Sequence, residues 1–436
     1  MLTHRHDTII GDIPEDWQSK PLRSLLEKQF SGDWGSDEGE KAVSVLRSTN
    51  FTSSGALDFS DVATRYFNQD KAETFGLQKD DLLVERSGGG PDQPVGRIGF
   101  ITEGIPEGTV SNFVQVLRPD PEKVNPEFLG WVLYELQRTG IIERVQQQST
   151  QMRNLNWRDY QRLLLPWPEL DEQRCIAAAL KLADDSITKA KAELYATREL
   201  KRSLMQTLFV SGMPGRHSDF IETKIGPIPK SWQLKKLGDV LVSSQYGLSE
   251  CMAESGCFPI LRMNNMENGI VNADDVKYID LDDATFEVFR LRAGDILFNR
   301  TNSMEYVGRV GILNEDMDAV FASYLVRLVA DPSQVDPWFL NFCMNSTQVK
   351  NRYRRYATPA VQQANINPRN LKKTLIAFPS LEDSDEQHEI IELLRSVDDS
   401  IISLKKKVEA FQQVNKSLLQ NLLTGVIRIP MGAIHA

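Results

Sequence analysis

The sequence is poor in the residues that ligate metals and carry nucleophilic chemistry. Four cysteines and five histidines are scattered through 436 residues. Cys251 and Cys257 have neither a CxxC spacing nor a matching second pair, which argues against a disulfide framework and a structural zinc. His4 and His6 lie near the N-terminus and His435 beside the C-terminus, so the pattern offers no paired base and nucleophile. No stretch approaches the roughly 20 apolar residues that a spanning helix requires, and the opening Met1-Leu2-Thr3-His4-Arg5-His6 carries no apolar run. No membrane contact and a cytoplasmic location are therefore expected. Ser87-Gly88-Gly89-Gly90-Pro91 lacks the spacing of a phosphate-cradling loop. Net positive charge is missing too: the formal charge of -10 argues against a chain that coats nucleic acid unspecifically. One island departs from it. From Phe339 through Ser380 there is no acidic residue, while Lys350, Arg352, Arg354, Arg355, Arg369, Lys372 and Lys373 supply positive charge.

What is present is written twice. Gly11-Asp12-Ile13-Pro14-Glu15-Asp16-Trp17 returns as Gly226-Pro227-Ile228-Pro229-Lys230-Ser231-Trp232, 215 residues on. Asp81-Leu82-Leu83-Val84-Glu85-Arg86 is answered by Asp295-Ile296-Leu297-Phe298-Asn299-Arg300, and Val95-Gly96-Arg97-Ile98-Gly99 by Val307-Gly308-Arg309-Val310-Gly311. Asn154-Leu155-Asn156 is answered by Asn365-Ile366-Asn367, and Glu172-Gln173 by Glu386-Gln387. The period is far longer than that of solenoid arrays, so each copy can hold its own core. The repeat also settles two motifs. Asn125-Pro126-Glu127-Phe128 resembles an amino-methylation signature, but its mate Asp336-Pro337-Trp338-Phe339 keeps only the helix start. Ser87 to Pro91 is glycine-rich, but its mate Thr301-Asn302-Ser303 is not.

Each copy predicts a short helix (Leu22 to Leu26, Leu237 to Leu241) and then mostly β structure. Strands are expected at Val43 to Leu46, Asp81 to Val84, Arg97 to Ile101, Pro259 to Leu261 and Asp295 to Phe298. A Pro-initiated helix follows in each copy, and then a long heptad helix. In the first the seam is Ile176, Leu180, Ala183, Ile187, Ala190, Leu194, Leu204 and Leu208; in the second, Ile390, Leu394, Val397, Ile401, Leu404, Val408, Leu418 and Leu422. One helix cannot bury such a seam alone, which predicts that the two pair antiparallel as a coiled coil. The expected fold class is α+β: a first mostly β recognition domain over 1–165, a spacer helix over 166–212, a second domain over 213–375, a second helix over 376–428 and a tail over 429–436.

In their order, these features resemble the DNA-specificity subunit of a type I restriction-modification system. They are the Ile-Pro-x-x-Trp opening of each unit, the Gly-Asp-Ile-Leu step at Gly294 to Leu297, and the Gln-x-x-Asn turn at Gln151 to Asn156 and Gln362 to Asn367. The Pro-x-Leu run into Glu-Gln and the heptad helix completes the set. The resemblance covers nearly the whole chain. It implies two target-recognition domains that each read half of a split DNA site, held apart by two antiparallel helices that also dock two methyltransferase subunits. Motor-nuclease subunits complete such a complex. It implies no catalytic site and no cofactor on this chain, with S-adenosylmethionine on the methyltransferase partners. Asp80-Asp81 stands where the second copy has Gly294-Asp295, which leaves residue-level equivalence of the DNA contacts open.

Base edges in double-stranded DNA call for Arg, Asn and Gln on loops, and phosphates for Lys, Arg, Ser and Thr. Three repeated places qualify: Arg47 and Asn50 with Arg262, Asn264 and Asn265; Arg86 and Ser87 with Arg300, Thr301 and Asn302; and Gln151 with Gln362. Arg352, Arg354 and Arg355 are phosphate candidates. No metal site is expected. Rival readings are a nuclease or methyltransferase in its own right, for which no complete or duplicated constellation exists, a coiled-coil scaffold for other proteins, and the specificity module of another DNA-modification or phage-defence system.

Overall fold

The structure, a computed structural model, describes residues 6–430 apart from 53–54, 90–93, 106, 149–152, 360–362 and 383–384. The chain divides into two units, Met1–Lys191 with Lys406–Ala436, and Ala192–Lys405. Each is built on the same sheet. In the first unit it runs Leu26–Ser31, Val114–Pro119, Leu82–Glu85, Ile98–Phe100, all antiparallel. In the second, Leu241–Tyr246, Leu325–Ala330, Ile296–Asn299 and Val310–Ile312 repeat that order, and Ile270–Val271 and Met266–Glu267 extend the edge. The central strands Leu82–Glu85 and Ile296–Asn299 are buried at every position because both faces are covered, which is why they read as unbroken apolar runs. A second small sheet in each unit sets a strand parallel to the Val43 or Ile260 strand. The predicted strands form within a residue or two of their expected limits. The two short helices are 3₁₀ turns, Leu22–Leu25 and Leu237–Val240. Asn125 and Asp336 cap the helices Pro126–Arg138 and Pro337–Asn345 as expected, each side chain accepting from a backbone N–H of the first turn.

The long helices run Leu170–Ser211 and Glu386–Leu423, the first about 63 Å at ~1.5 Å per residue. The division between units passes through both, so each unit contains one segment of each. This differs from sequence boundaries that set the helices apart as spacers. In the first unit Ile176 and Leu180 share a core with Leu419, Leu422 and Leu423, together with Trp17, Phe128 and Leu129. In the second, Leu208 and Phe209 share a core with Ile390, Ile391 and Leu394, together with Trp232 and Phe339. The direction is antiparallel: Lys201 donates to Asp398 at 2.6 and 2.8 Å, while Met213, just past the first helix, donates to Glu386 at the start of the second. Ile187, Val397, Ile401 and Val408 are buried; Leu194, Leu204, Leu404 and Leu418 are half-buried. Leu419, outside the expected seam, is more deeply buried than Leu418, because packing against a globular unit widens the narrow coiled-coil stripe.

Four separate sequence motifs converge at one node in each unit. Trp17 Nε1 donates to Glu172 at 3.1 Å, and Trp232 Nε1 to Glu386 at 3.0 Å. Gln173 accepts from the Asn125 N–H and donates to the Pro168 carbonyl; Gln387 accepts from the Asp336 N–H and donates to the Pro379 carbonyl. The Glu-Gln pair thus ties the start of a long helix to the opening strand, to the Pro-initiated helix and to its own run-in. A side chain from beyond the other long helix completes each node. Arg428 pairs with Glu172 and with Asp16, whereas His217 Nε2 lies 2.9 and 3.0 Å from the two oxygens of Glu386.

Candidate nucleic-acid interface

Arg47 and Arg262 follow equivalent strands and open equivalent turns. The carboxamide of Asn50 accepts from the Arg47 N–H at 2.7 Å and donates to the carbonyls of Asp58 and Asp61. Asn265 accepts from the Arg262 N–H at 2.8 Å and donates to the Asp275 carbonyl. Both amides are about 1% exposed. The expectation that they face bases is therefore corrected: their hydrogen-bonding capacity holds the turn closed. Arg47 and Arg262 project from these turns, half-buried, and pair with Asp61 and Asp275. Asn264 is exposed and donates to the Asp275 carboxylate.

Arg86 and Arg300 end the central strands, and each is joined to an exposed aromatic. The Arg86 N–H donates to the carbonyl of Phe113, and the Arg300 N–H to that of Tyr324. Phe113 is 42% and Tyr324 40% exposed, each in the turn immediately before a strand of the main sheet. The Arg86 guanidinium makes no hydrogen bond among the described residues. That of Arg300 donates to the Ser323 carbonyl at 3.0 Å and stacks over Tyr246 at 5.1 Å. Ser87 and Thr301 are half-buried in equivalent short strands. Asn302 is turned inward, its amide 3.1 Å from the sulfur of Met263. Phe113 and Tyr324 escaped the sequence reading because Ser-Asn-Phe and Ala-Ser-Tyr share only an aromatic. Their common place beside the strand-end arginine is visible only in the fold.

Burial separates the other basic residues. Arg352 donates to the Leu375 carbonyl, and Arg354 to those of Glu305 and Val307. Both phosphate candidates are half-buried and cap the unit's own carbonyls; of the three, only Arg355 is exposed. Burial, with Arg354 and Arg309 nearby, holds the Lys350 ammonium below the ordinary lysine range. Gln151 and Gln362 lie outside the described residues. The neighbouring Asn156 and Asn367 cap short helices, as the Asn-x-Asn pattern allows.

The repeated Val-Gly-Arg motif carries a role that the sequence reading missed. Arg97 forms a bidentate pair with buried Glu85 at 2.7 and 2.8 Å and donates to the carbonyls of Ser48 and Phe51, clamping the Arg47 turn to the central strand. Asn299 stands where the first unit has Glu85, so Arg309 has lost that carboxylate and lies over the Tyr306 ring at 4.2 Å. The two units therefore share a scaffold and present different turns on it. Cys343 is buried, which pushes its thiol up to about 12, and all four cysteines are free. Among the described residues no His, Cys, Asp or Glu cluster could hold a metal, and no helix is long and apolar enough to cross a membrane.

The sequence is 24% identical over 436 residues to a putative type I restriction enzyme MjaX specificity subunit of Methanocaldococcus jannaschii, covering 97% of this chain and 96% of that one. It is 23% identical to the EcoKI specificity subunit of Escherichia coli K12, covering 96% and 90%. The fold resembles the type I restriction-modification S subunit of M. genitalium, with a TM-score of 0.55 at 15% identity over 93% of this chain and 96% of that one. A chain from a type I R-M assembly structure matches with a TM-score of 0.57 at 14% identity over 95% and 99%. The type I restriction modification DNA specificity domain matches residues 14–195 and again residues 229–411, and this chain belongs to that family.

Proposed function

We propose that the chain is the non-catalytic DNA-recognition subunit of a type I restriction-modification complex, each unit reading one half of a split, asymmetric site. The observation that carries this is the repeated pairing of a strand-end arginine with an exposed aromatic, Arg86 with Phe113 and Arg300 with Tyr324, beside turns that differ in their side chains. A common scaffold with unlike reading surfaces is what an asymmetric bipartite site requires. Arg47, Arg86, Ser87, Arg262, Asn264, Arg300 and Thr301 remain the contact candidates, with Arg355 for phosphate. Asn50 and Asn265 hold the turns.

The long helices are the docking surface for two methyltransferase subunits. Supporting this, Leu200 and Val414, repeat mates on the two helices, are 52% and 53% exposed, one in each unit. S-adenosylmethionine belongs to those partners, motor-nuclease subunits join the same assembly, and the complex works in the cytoplasm, where its DNA lies. The test is Arg300→Ala in the assembled methyltransferase. Losing a base contact costs about 1–3 kcal/mol and relaxes one position of one half-site. A uniform loss of affinity with unchanged sequence preference would demote Arg300 to a backbone contact, and equal relaxation of both half-sites would refute independent reading.

A further inference from the structure

Beside the candidate reading turns of the first unit lies a recess of about 490 Å³, walled by Trp34, Arg47, Ser48, Gly88, Ser111 and Phe113. Its volume falls within the roughly 300–1,000 Å³ of small-ligand sites. Its chemistry is mixed. Trp34 and Phe113 supply aromatic surface, while the hydroxyls of Ser48 and Ser111 and the Nε of Arg47 are shielded from water and have no hydrogen-bond partner among the described residues. Ser111 is 97% buried by its relative exposure of 3%. Buried polar groups in folded proteins are almost always paired, so three orphans around one recess call for a ligand that supplies the partners.

The recess is held in shape. Arg65 donates to the Trp34 carbonyl and lies 5.0 Å from the Trp34 ring centre. Arg97 grips the carbonyls of Ser48 and Phe51. Gly88 has a φ of +105°, where a side chain is strained, and a Cβ there would stand 3.6 Å from the Ser48 hydroxyl. The second unit carries different side chains at the same place. Met263 replaces Ser48, Ala322 replaces Ser111 and Asn302 replaces Gly88, and the Asn302 amide touches the Met263 sulfur at 3.1 Å. The repeat thus has one hydroxyl-lined version of the site and one in which a carboxamide and a thioether meet.

We propose that the recess of the first unit receives a single nucleobase lifted from the stack of the bound duplex, whereas the second unit, with different side chains there, receives none. A flat heteroaromatic ring with polar edges matches aromatic walls beside unpaired donors and acceptors, and base–aromatic contact is sequence-tolerant until edge groups discriminate. This inference rests on the DNA-recognition reading, and its test separates the two.

The experiment uses the full chain assembled with its methyltransferase and a duplex selected from a randomised pool. 2-Aminopurine is placed in turn at each position of both half-sites. The methyltransferase partners lift their own target base, which gives each half-site one bright position; the first unit's half-site should show a second position that brightens several-fold on binding, with no second position in the other half-site. Ser48→Met, the second unit's residue, should abolish that second signal, leave the partners' target-base signal in place, and reduce preference at that base pair about tenfold or more. Ser111→Ala removes one oxygen from a folded site and should lower discrimination there without changing the melting temperature by more than a few degrees, which covers a folding failure of Ser48→Met. Bound duplex with no second bright position in the first unit's half-site, or both variants keeping wild-type preference, would overturn the pocket and leave DNA recognition standing. A wild-type assembly that binds no duplex from the pool would overturn both.

Discussion

Removing the Glu386 carboxylate should loosen the second unit more than any single surface change. Glu386 is 1% exposed, and it accepts from the Trp232 indole at 3.0 Å and the Met213 N–H at 2.8 Å while lying against His217. Glu386→Ala leaves the buried Trp232 indole and the half-buried Met213 N–H without an acceptor. At about 1–3 kcal/mol for each unsatisfied group, the loss is roughly 2–6 kcal/mol, a large part of the ~5–15 kcal/mol that holds a typical domain. For a unit of this size each kcal/mol moves the midpoint by about 2–4 °C, so a fall on the order of 10 °C is expected. Glu386→Gln retains an acceptor but presents an N–H₂ to a site of donors, and should fall between. The units need not melt together, so calorimetry should be joined to hydrogen exchange at the Met213 amide, which must accelerate. Glu172→Ala should cost less: only the Trp17 indole loses its acceptor in that pair, and Arg428 keeps Asp16. A Glu386→Ala midpoint within about 1 °C of wild type, with Met213 exchange unchanged, would refute the node as a structural tie.

Arg97→Ala should cost about 3–5 kcal/mol in urea unfolding, because it strands buried Glu85 and frees two turn carbonyls; Arg309→Ala, facing no such carboxylate, should cost less than about 1 kcal/mol, and equal losses would contradict the difference between the units. Ile401→Asp puts a charge into the buried seam and should lower the melting midpoint by several degrees and weaken DNA binding by the assembly; an unchanged protein would sink the pairing. The hydrogen bond from Arg428 holds the Asp16 carboxyl below the ordinary aspartate range. A depressed carboxyl contributes stability above that range and loses it as pH falls through its own lower midpoint. A carbon-detected NMR titration of Asp16 should therefore return toward the ordinary value in Arg428→Gln, and an unmoved midpoint would assign the shift elsewhere.

Much of the architecture was legible because the chain repeats itself. A motif seen once is weak, but Trp17 with Trp232, Asn125 with Asp336 and Glu172 with Glu386 keep their order and spacing, and each proved a structural tie in both units. Periodicity of three and four revealed the long helices for the same reason: a seam of that length has to be covered. The contact residues were harder to read, since Arg, Asn and Gln on a loop look alike whether they face a ligand or close a turn. Asn50 and Asn265 close turns, and Arg352 and Arg354 cap carbonyls.

The sequence by itself determined the duplication, the α+β class, the two heptad helices and the family resemblance, because these rest on local patterns of burial and spacing that recur along one chain. Only the tertiary structure decided which polar groups are already satisfied. It buried Asn50, set Phe113 and Tyr324 beside the strand-end arginines, drew Arg97 onto Glu85, and left a recess in one unit at the place where Met263 and Asn302 meet in the other. Hydrogen-bond partners come from residues distant in sequence, so whether a side chain is spent or free is a property of the folded neighbourhood and not of the residue type.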